Sequence, residues 1–274
     1  MTDDSPSCVL QRRLGTVVPD PDGGAKNAAS DCTRRRVTLF LDVDGTLLDL
    51  ARRPDEVVVP PRVVTILTRL QTVLAGALAL VSGRTIRQID ALLAPLKLPC
   101  AGVHGGERRD CIGQMHYLAP HAASRLDSAR VALSHFVATE PGLLLEDKRS
   151  SLAVHFRERP ELVGTVRRQV EKAVSLIGEG FRIQEGVLVR EIVPNVANKG
   201  DAVEAFLAEP AFAGRMPVFV GDDVTDVDAF AAVERHGGRA IAVGIRLPAS
   251  WRFRSPSAVI DWLEFLAGSD GRWA

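Results

Sequence analysis

Val37-Thr38-Leu39-Phe40-Leu41-Asp42-Val43-Asp44-Gly45-Thr46 decides how this chain is read. Five consecutive apolar or β-favouring residues suit a strand buried on both faces, and Gly45 permits the backbone reversal that follows. The two carboxylates therefore fall at a strand's carboxyl end, where open α/β sheets bind ligands. On an extended chain, residues two apart point to the same side, so Asp42 and Asp44 can share one cation and one substrate. A carboxylate beside a divalent metal can attack phosphorus and form an aspartyl phosphate, and a second acid can protonate the leaving oxygen. The same residues also fit a solvated acidic turn.

Working outward, residues 61–74 place Val63, Ile66, Leu67 and Leu70 on one helical face, and residues 77–81 read as a buried strand, which completes a βαβ unit. A helix over 85–93 and a third strand at 100–103, ending at His104-Gly105-Gly106, continue the parallel pattern. After about residue 110 the pattern changes. A helix over 122–139 carries Leu126, Ala129, Leu133 and Phe136 on one face. Strands follow at 143–146 and 151–157, the second with Leu152, Val154 and Phe156 inward. A helix over 160–177 repeats Val163, Val166, Val170 and Val174, and a hairpin over 181–193 turns at Glu185-Gly186. This is an inserted α+β unit with helices on one side of a sheet. A helix at 199–207, strands at 218–220 and 240–243 and a closing helix at 257–266 resume the α/β pattern. The expectation is a doubly wound parallel-sheet core over 35–110 and 194–268, a cap over 111–193, and a flexible tail over 1–34, which is too polar to order itself.

Composition narrows the function. Of 274 residues 46% are hydrophobic, ample for a core, and 34 Lys plus Arg balance 34 Asp plus Glu, so no global field favours nucleic acid or an anionic membrane. Cys8, Cys32, Cys100 and Cys111 form no Cys-x-x-Cys pair, which argues for free thiols in a reducing compartment. With no signal-like segment and no membrane-length apolar run, a cytoplasmic monomer is expected.

Three further signals lie at element ends. Gly221-Asp222-Asp223-Val224-Thr225-Asp226 puts a second acidic group after a strand, and two acidic edges suit Mg²⁺, though these residues also fit a helix's first turn. Ser82-Gly83-Arg84 places a hydroxyl where it can donate to a phosphoryl oxygen, although Ser-Gly is also an ordinary turn. Lys199 opens a helix and can offset the charge on Asp42 and a phosphoryl group, where a lone lysine is usually solvated. The ordered combination is far more specific than any member.

Asp42-Val43-Asp44-Gly45-Thr46, Ser82, Lys199 and Gly221-Asp222-Asp223 together resemble the four motifs of the haloacid dehalogenase superfamily. The resemblance implies Asp42 as nucleophile, Asp44 as general acid then base, Ser82 and Lys199 as the phosphate clamp, and Asp222 as the principal metal carboxylate. Asp223 and Asp226 would support it, with Asp42 and Asp44 completing the magnesium site. The 117 positions from Ser82 to Lys199 resemble the subtype B cap of the second type. More finely, Val81-Ser82-Gly83-Arg84, Gly102-Val103-His104-Gly105, Glu146-Asp147-Lys148 through His155-Phe156-Arg157, Glu191-Ile192-Val193-Pro194 and Gly221 to Asp226 resemble the trehalose 6-phosphate phosphatase family. That resemblance implies that Glu146, Lys148, Arg157 and Glu191 contact sugar hydroxyls, and it adds Arg84, His104 and Gly105 as candidate substrate residues. His104 either faces the substrate or fills space beneath the cap. Two departures stand out: Val227 replaces a frequent Glu, and Val187 replaces a frequent Lys in the cap hairpin, which leaves the disaccharide preference open.

The implied activity is magnesium-dependent hydrolysis of a small sugar phosphate, trehalose 6-phosphate, with no nucleic-acid or membrane partner. A phosphatase for sucrose 6-phosphate or a mannosyl phosphate would share the core residues. A phospho-receiver needs neither Asp44 nor a domain-sized lid, and a silent sugar-phosphate sensor needs no complete set of catalytic residue types.

Overall fold

The computed structural model describes residues 37–268. The expected tail over 1–34, with Cys8 and Cys32, lies outside the described residues. The core sheet has eight strands in the order β12-β11-β10-β1-β2-β3-β4-β5. β1 (Val37–Leu41) occupies its centre, parallel to β10 (Met216–Gly221) on one side and β2 (Leu78–Val81) on the other. β11 (Arg239–Val243) and β12 (Trp251–Phe253) continue the parallel order outward from β10, and β3 (Cys100–Gly102) does so from β2. β1 is buried along its whole length, as its unbroken apolar run requires.

Helix α1 (Pro61–Val73) buries the four residues that its periodicity selects and packs on the C-terminal helix α8 (Pro256–Gly268). α2 (Ile86–Leu92) starts at a Thr85–Gln88 capping box. α6 (Lys199–Leu207), N-capped by Asn198, packs on α7 (Val227–Arg235) as a second helical layer. Right-handed crossovers to the two sides of β1 place the two layers on opposite faces of the sheet.

The inserted unit is a four-stranded antiparallel sheet, ordered β6 (Leu144–Asp147), β7 (Leu152–His155), β9 (Val189–Pro194), β8 (Phe181–Gly186). Its apolar face packs on α4 (Asp127–Thr139) and α5 (Val163–Ile177), giving a hydrophobic cluster separate from that of the core.

Four sequence expectations are corrected. The core sheet runs past the expected boundary at 110, because β4 (Glu107–Arg109) adds antiparallel to β3 and β5 (Met115–Tyr117) adds antiparallel to β4. Strands of three residues carry too little periodicity to show in the sequence. The helix over 122–139 divides at Leu126 into α3 (Ala122–Arg125) and α4. Val163 sits exposed at the first position of α5, and Val166, Val170 and Ala173 form the buried stripe. The hairpin turns at Val187-Leu188, two residues later than expected. Its register puts Glu185 opposite Arg190, where their side chains pair, and Leu188 takes the left-handed conformation that closes the turn (φ 57°).

Candidate active site

β1, β2 and β10 end side by side, and each delivers a polar residue to the same edge. Asp42 follows β1, Ser82 follows β2 and Asp222 follows β10, all three buried. Lys199, first residue of α6, reaches the group from the helical layer. Its Nζ lies 2.7 Å from Asp42 Oδ1 and 2.6 Å from Asp226 Oδ1. Burial opposes a charge on this amine, but the carboxylates of Asp226 and Asp42 outweigh it and raise its pKa above the ordinary lysine value. Burial likewise pushes the Asp42 carboxyl well above the usual carboxylate range, with Lys199 opposing and Asp226 and Asp222 adding to the rise. Asp222 is pushed up to about 7, chiefly by burial and then by Asp226 and Asp223.

The acidic residues divide by what holds them. Asp226 is fully enclosed: its Oδ2 accepts from the amides of Asp222 (2.9 Å) and Asp223 (3.0 Å), and Oδ1 takes Lys199. Both oxygens of Asp226 are therefore engaged in shaping the loop, as the helix-turn alternative anticipates, and it is absent from the cavity wall. The Asp44 carboxylate is held by Arg84, and Asp223 lines the cavity without joining the tight group. Asp42, Asp222 and Asp226 do form such a group, with one oxygen from each lying within 4.8 Å of the others. Asp222 Oδ1 is buried with no hydrogen-bond partner, while Oδ2 accepts from Arg246 at 2.9 Å. A buried carboxylate with an unpartnered oxygen, grouped with two further buried carboxylates, is the donor chemistry of a hard divalent cation. Gly45 is fixed by this crowding: its φ is +81°, and a Cβ there would fall 2.3 Å from Asp222 Oδ2.

The inserted sheet covers this edge. Glu146, Ala153, Glu191 and Gln184 lie in one cross-strand row, on the face opposite the apolar one. Glu191 Oε2 lies 2.8 Å from Lys148 Nζ and 3.4 Å from His104 Nε2, and its Oε1 accepts from Ser151 Oγ at 2.5 Å. Burial would raise the Glu191 carboxyl, but Lys148 and His104 hold it well below the usual range. Lys148 also donates to the core carbonyl of Gly83 at 2.8 Å. Glu146 accepts from Gln88 of α2 at 2.6 Å and pairs with His155 at 2.8 Å. Against the opposing effect of burial, His155 and Lys148 lower its pKa to about 2. Arg157 donates to the carbonyls of Ala51 in the core and Val187 in the cap turn.

The space between core and cap opens to solvent and has a volume of about 930 Å³ including its mouth. Its wall holds Asp42, Asp44, Ser82, Arg84, His104 and Lys199 from the core, and Glu146, Lys148, Arg157 and Glu191 from the cap. Gly105 is not in it. Its φ of +98° and the 2.4 Å that would separate a Cβ from Asn198 O show a residue that packs the turn under α6. His104 both lines the wall and contacts Glu191, in a left-handed conformation (φ 54°), with its pKa lowered by burial. Arg246, Gln88 and His155 are site residues that sequence reading missed. For His155 the alternation Leu152, Val154, Phe156 held the signal, since the residues between them face the other way. Arg246 and Gln88 carried none.

The mostly parallel sheet under an inserted α+β lid is a fold shared with a solved phosphatase of the haloalkanoate (HAD) enzyme superfamily from Bacteroides thetaiotaomicron, at a TM-score of 0.55 and 15% identity over 89% of this chain and 97% of that one. A family model described as trehalose-phosphatase matches residues 40–252. A probable trehalose-phosphate phosphatase of Sinorhizobium fredii is 47% identical over 222 residues, covering 80% of this chain and 83% of its own. A trehalose-6-phosphate phosphatase of Escherichia coli is 41% identical over 229 residues, covering 83% and 85%. Among solved structures, the C-terminal domain of the C. albicans trehalose-6-phosphate phosphatase superposes with a TM-score of 0.73 at 21% identity, over 86% of this chain and 93% of that one. The chain belongs to the trehalose-phosphatase family.

Proposed function

We propose that this chain is a magnesium-dependent phosphatase that hydrolyses trehalose 6-phosphate to trehalose and phosphate through an aspartyl phosphate. The observation that carries the reading is a cavity with two chemically distinct ends. A buried carboxylate, amine and hydroxyl stand at the core end, and charged donors and acceptors spaced along a rigid sheet stand at the cap end. A phosphorylated disaccharide has the same polarity, with one dianion and many hydroxyls.

Asp42 attacks phosphorus as Asp44 donates a proton to the departing 6-oxygen. Asp44 then takes a proton from the water that opens the acyl phosphate. Lys199 and Ser82 hold the phosphoryl oxygens, with Lys199 neutralising the charge that gathers beside Asp42. Asp42 and Asp222 would hold Mg²⁺, with Asp226 behind them. When bound, the ion supplies Lewis-acid neutralisation of the carboxylate and the phosphoryl group. Glu146, Lys148, Arg157 and Glu191 orient the sugar rings and complete the closure that excludes water. The cavity is complete within one chain, which fits action as a monomer.

Phosphate release from trehalose 6-phosphate, sucrose 6-phosphate and glucose 6-phosphate, with Mg²⁺ and with Asp42→Asn as blank, tests the reading. Preference for the first, abolished by the substitution, is expected. Val187 lines the wall and offers no ammonium, so this panel decides the disaccharide preference as well. Preference for another ester would discard the substrate and keep the chemistry.

A further inference from the structure

Arg84 stands at the phosphate end of the cavity, where a substrate ligand is expected, yet its guanidinium is committed elsewhere. Nε lies 2.7 Å from Asp44 Oδ2 and Nη2 lies 2.8 Å from Asp44 Oδ1, a two-pronged pairing. Nη1 donates to Pro54 O at 3.1 Å, in the turn Pro54–Glu56 at the cavity wall. The backbone behind it is fixed too: the Arg84 amide donates to Ser82 Oγ at 3.2 Å, and its carbonyl accepts from Val103 at 2.9 Å. Arg84 is buried, and the Asp44 side chain is 30% exposed. Asp44 therefore belongs to the cavity with its orientation set by a group in the loop that follows β2.

We infer that Arg84 is the positioning residue of the acid–base group Asp44 and not a ligand of the substrate. A carboxyl on a short side chain has two torsions to fix, and only a planar fork bonding both oxygens fixes both. A lysine at the same place is a point charge and cannot. The inference rests on the reaction proposed above. In its first step the Asp42–phosphorus bond forms, the bond from phosphorus to the sugar oxygen breaks, and the Asp44 proton passes to that oxygen. In the second, water forms its bond to phosphorus, the Asp42–phosphorus bond breaks, and a proton returns to Asp44.

The test is dependence on the leaving group. A sugar alkoxide needs the proton, whereas nitrophenolate departs without one. Arg84→Lys is expected to lower kcat on trehalose 6-phosphate by about 10- to 100-fold, part of the ~10²–10⁴ that a placed general acid supplies, with KM little changed. The first-turnover burst of nitrophenolate from p-nitrophenyl phosphate should fall far less, and the slow second step should follow it. In an Asp44→Asn background Arg84→Lys should add nothing further, the signature of a residue acting through another. Should Arg84→Lys not fold, Arg84→Gln carries the same comparison. Equal losses on both esters, a raised KM with kcat kept, or an additive loss in the Asp44→Asn background would overturn the inference. A wild-type chain idle on trehalose 6-phosphate but active on another alkyl phosphate would refute the substrate alone, and the ester contrast would still judge Arg84. A chain idle on every ester removes both.

Discussion

Replacing Lys199 by Met removes the cation that two buried carboxylates share, at nearly constant volume. The side chain is 2% exposed, and its partners Asp42 and Asp226 are 6% and 0% exposed, so water cannot stand in for it. Deleting one member of a buried pair costs about 3–5 kcal/mol, because the remaining charge is left uncompensated. For a chain of this size that corresponds to a Tm lower by roughly 6–20 °C. The loss should also depend on pH in a definite direction. Burial already raises the Asp42 carboxyl above its unfolded value, and removing Lys199 deletes the largest opposing influence. A carboxyl raised in the folded state destabilises the fold as pH rises above its unfolded value and is relieved when it is protonated. The deficit should therefore shrink between about pH 7.5 and pH 5. Thermal melts of wild type and Lys199→Met at both pH values, with phosphate release measured alongside, read this directly. A Tm loss below about 3 °C, or one of equal size at both pH values, would refute the reasoning. Adding Asp42→Asn should restore part of the stability and none of the activity.

Gly45→Ala forces a side chain into a left-handed backbone and against Asp222. It should cost about 1–3 kcal/mol for the strained conformation alone and abolish turnover, read by melts and phosphate release. Glu146 has a folded pKa of about 2 against an ordinary 4.5, so its stabilisation is complete above 4.5 and lost as pH falls towards 2. Glu146→Gln should flatten acid unfolding in that window, followed by circular dichroism, and an unchanged profile would count against the pairing with His155. Chelation by EDTA should stop phosphate release while the melting curve stays cooperative, and added Mg²⁺ should restore it. Substituting Lys148 by Ala should raise KM for the disaccharide phosphate and leave the nitrophenolate burst from p-nitrophenyl phosphate nearly intact, which separates sugar reading from phosphoryl transfer.

Much of the molecule was legible because the information is local. The apolar run into Asp42 and Asp44, the stripe of Val63, Ile66, Leu67 and Leu70, and the alternation of Leu152, Val154 and Phe156 each follow from the period of one backbone conformation. Where the local signal thinned, reading stopped. Glu107–Arg109 and Met115–Tyr117 are too short to show a period, and only pairing, of the first with Cys100–Gly102 and of the second with the first, makes them strands. Gly105 sits in a motif beside His104, yet contact with Asn198 decides its place.

By itself the sequence determined the order of the longer strands and helices, the inserted unit between them, and which residue types stand at the strand ends, because the twofold and 3.6-fold periods are written in neighbouring positions. Only the tertiary structure decided which polar groups meet: Arg84 with Asp44, Lys199 with Asp226, Arg246 with Asp222 and Gln88 with Glu146. Those partners stand 24 to 58 positions apart along the chain. Their pairing depends on the burial and distances set when the sheet and its cap close, and an isolated charged residue carries no record of them.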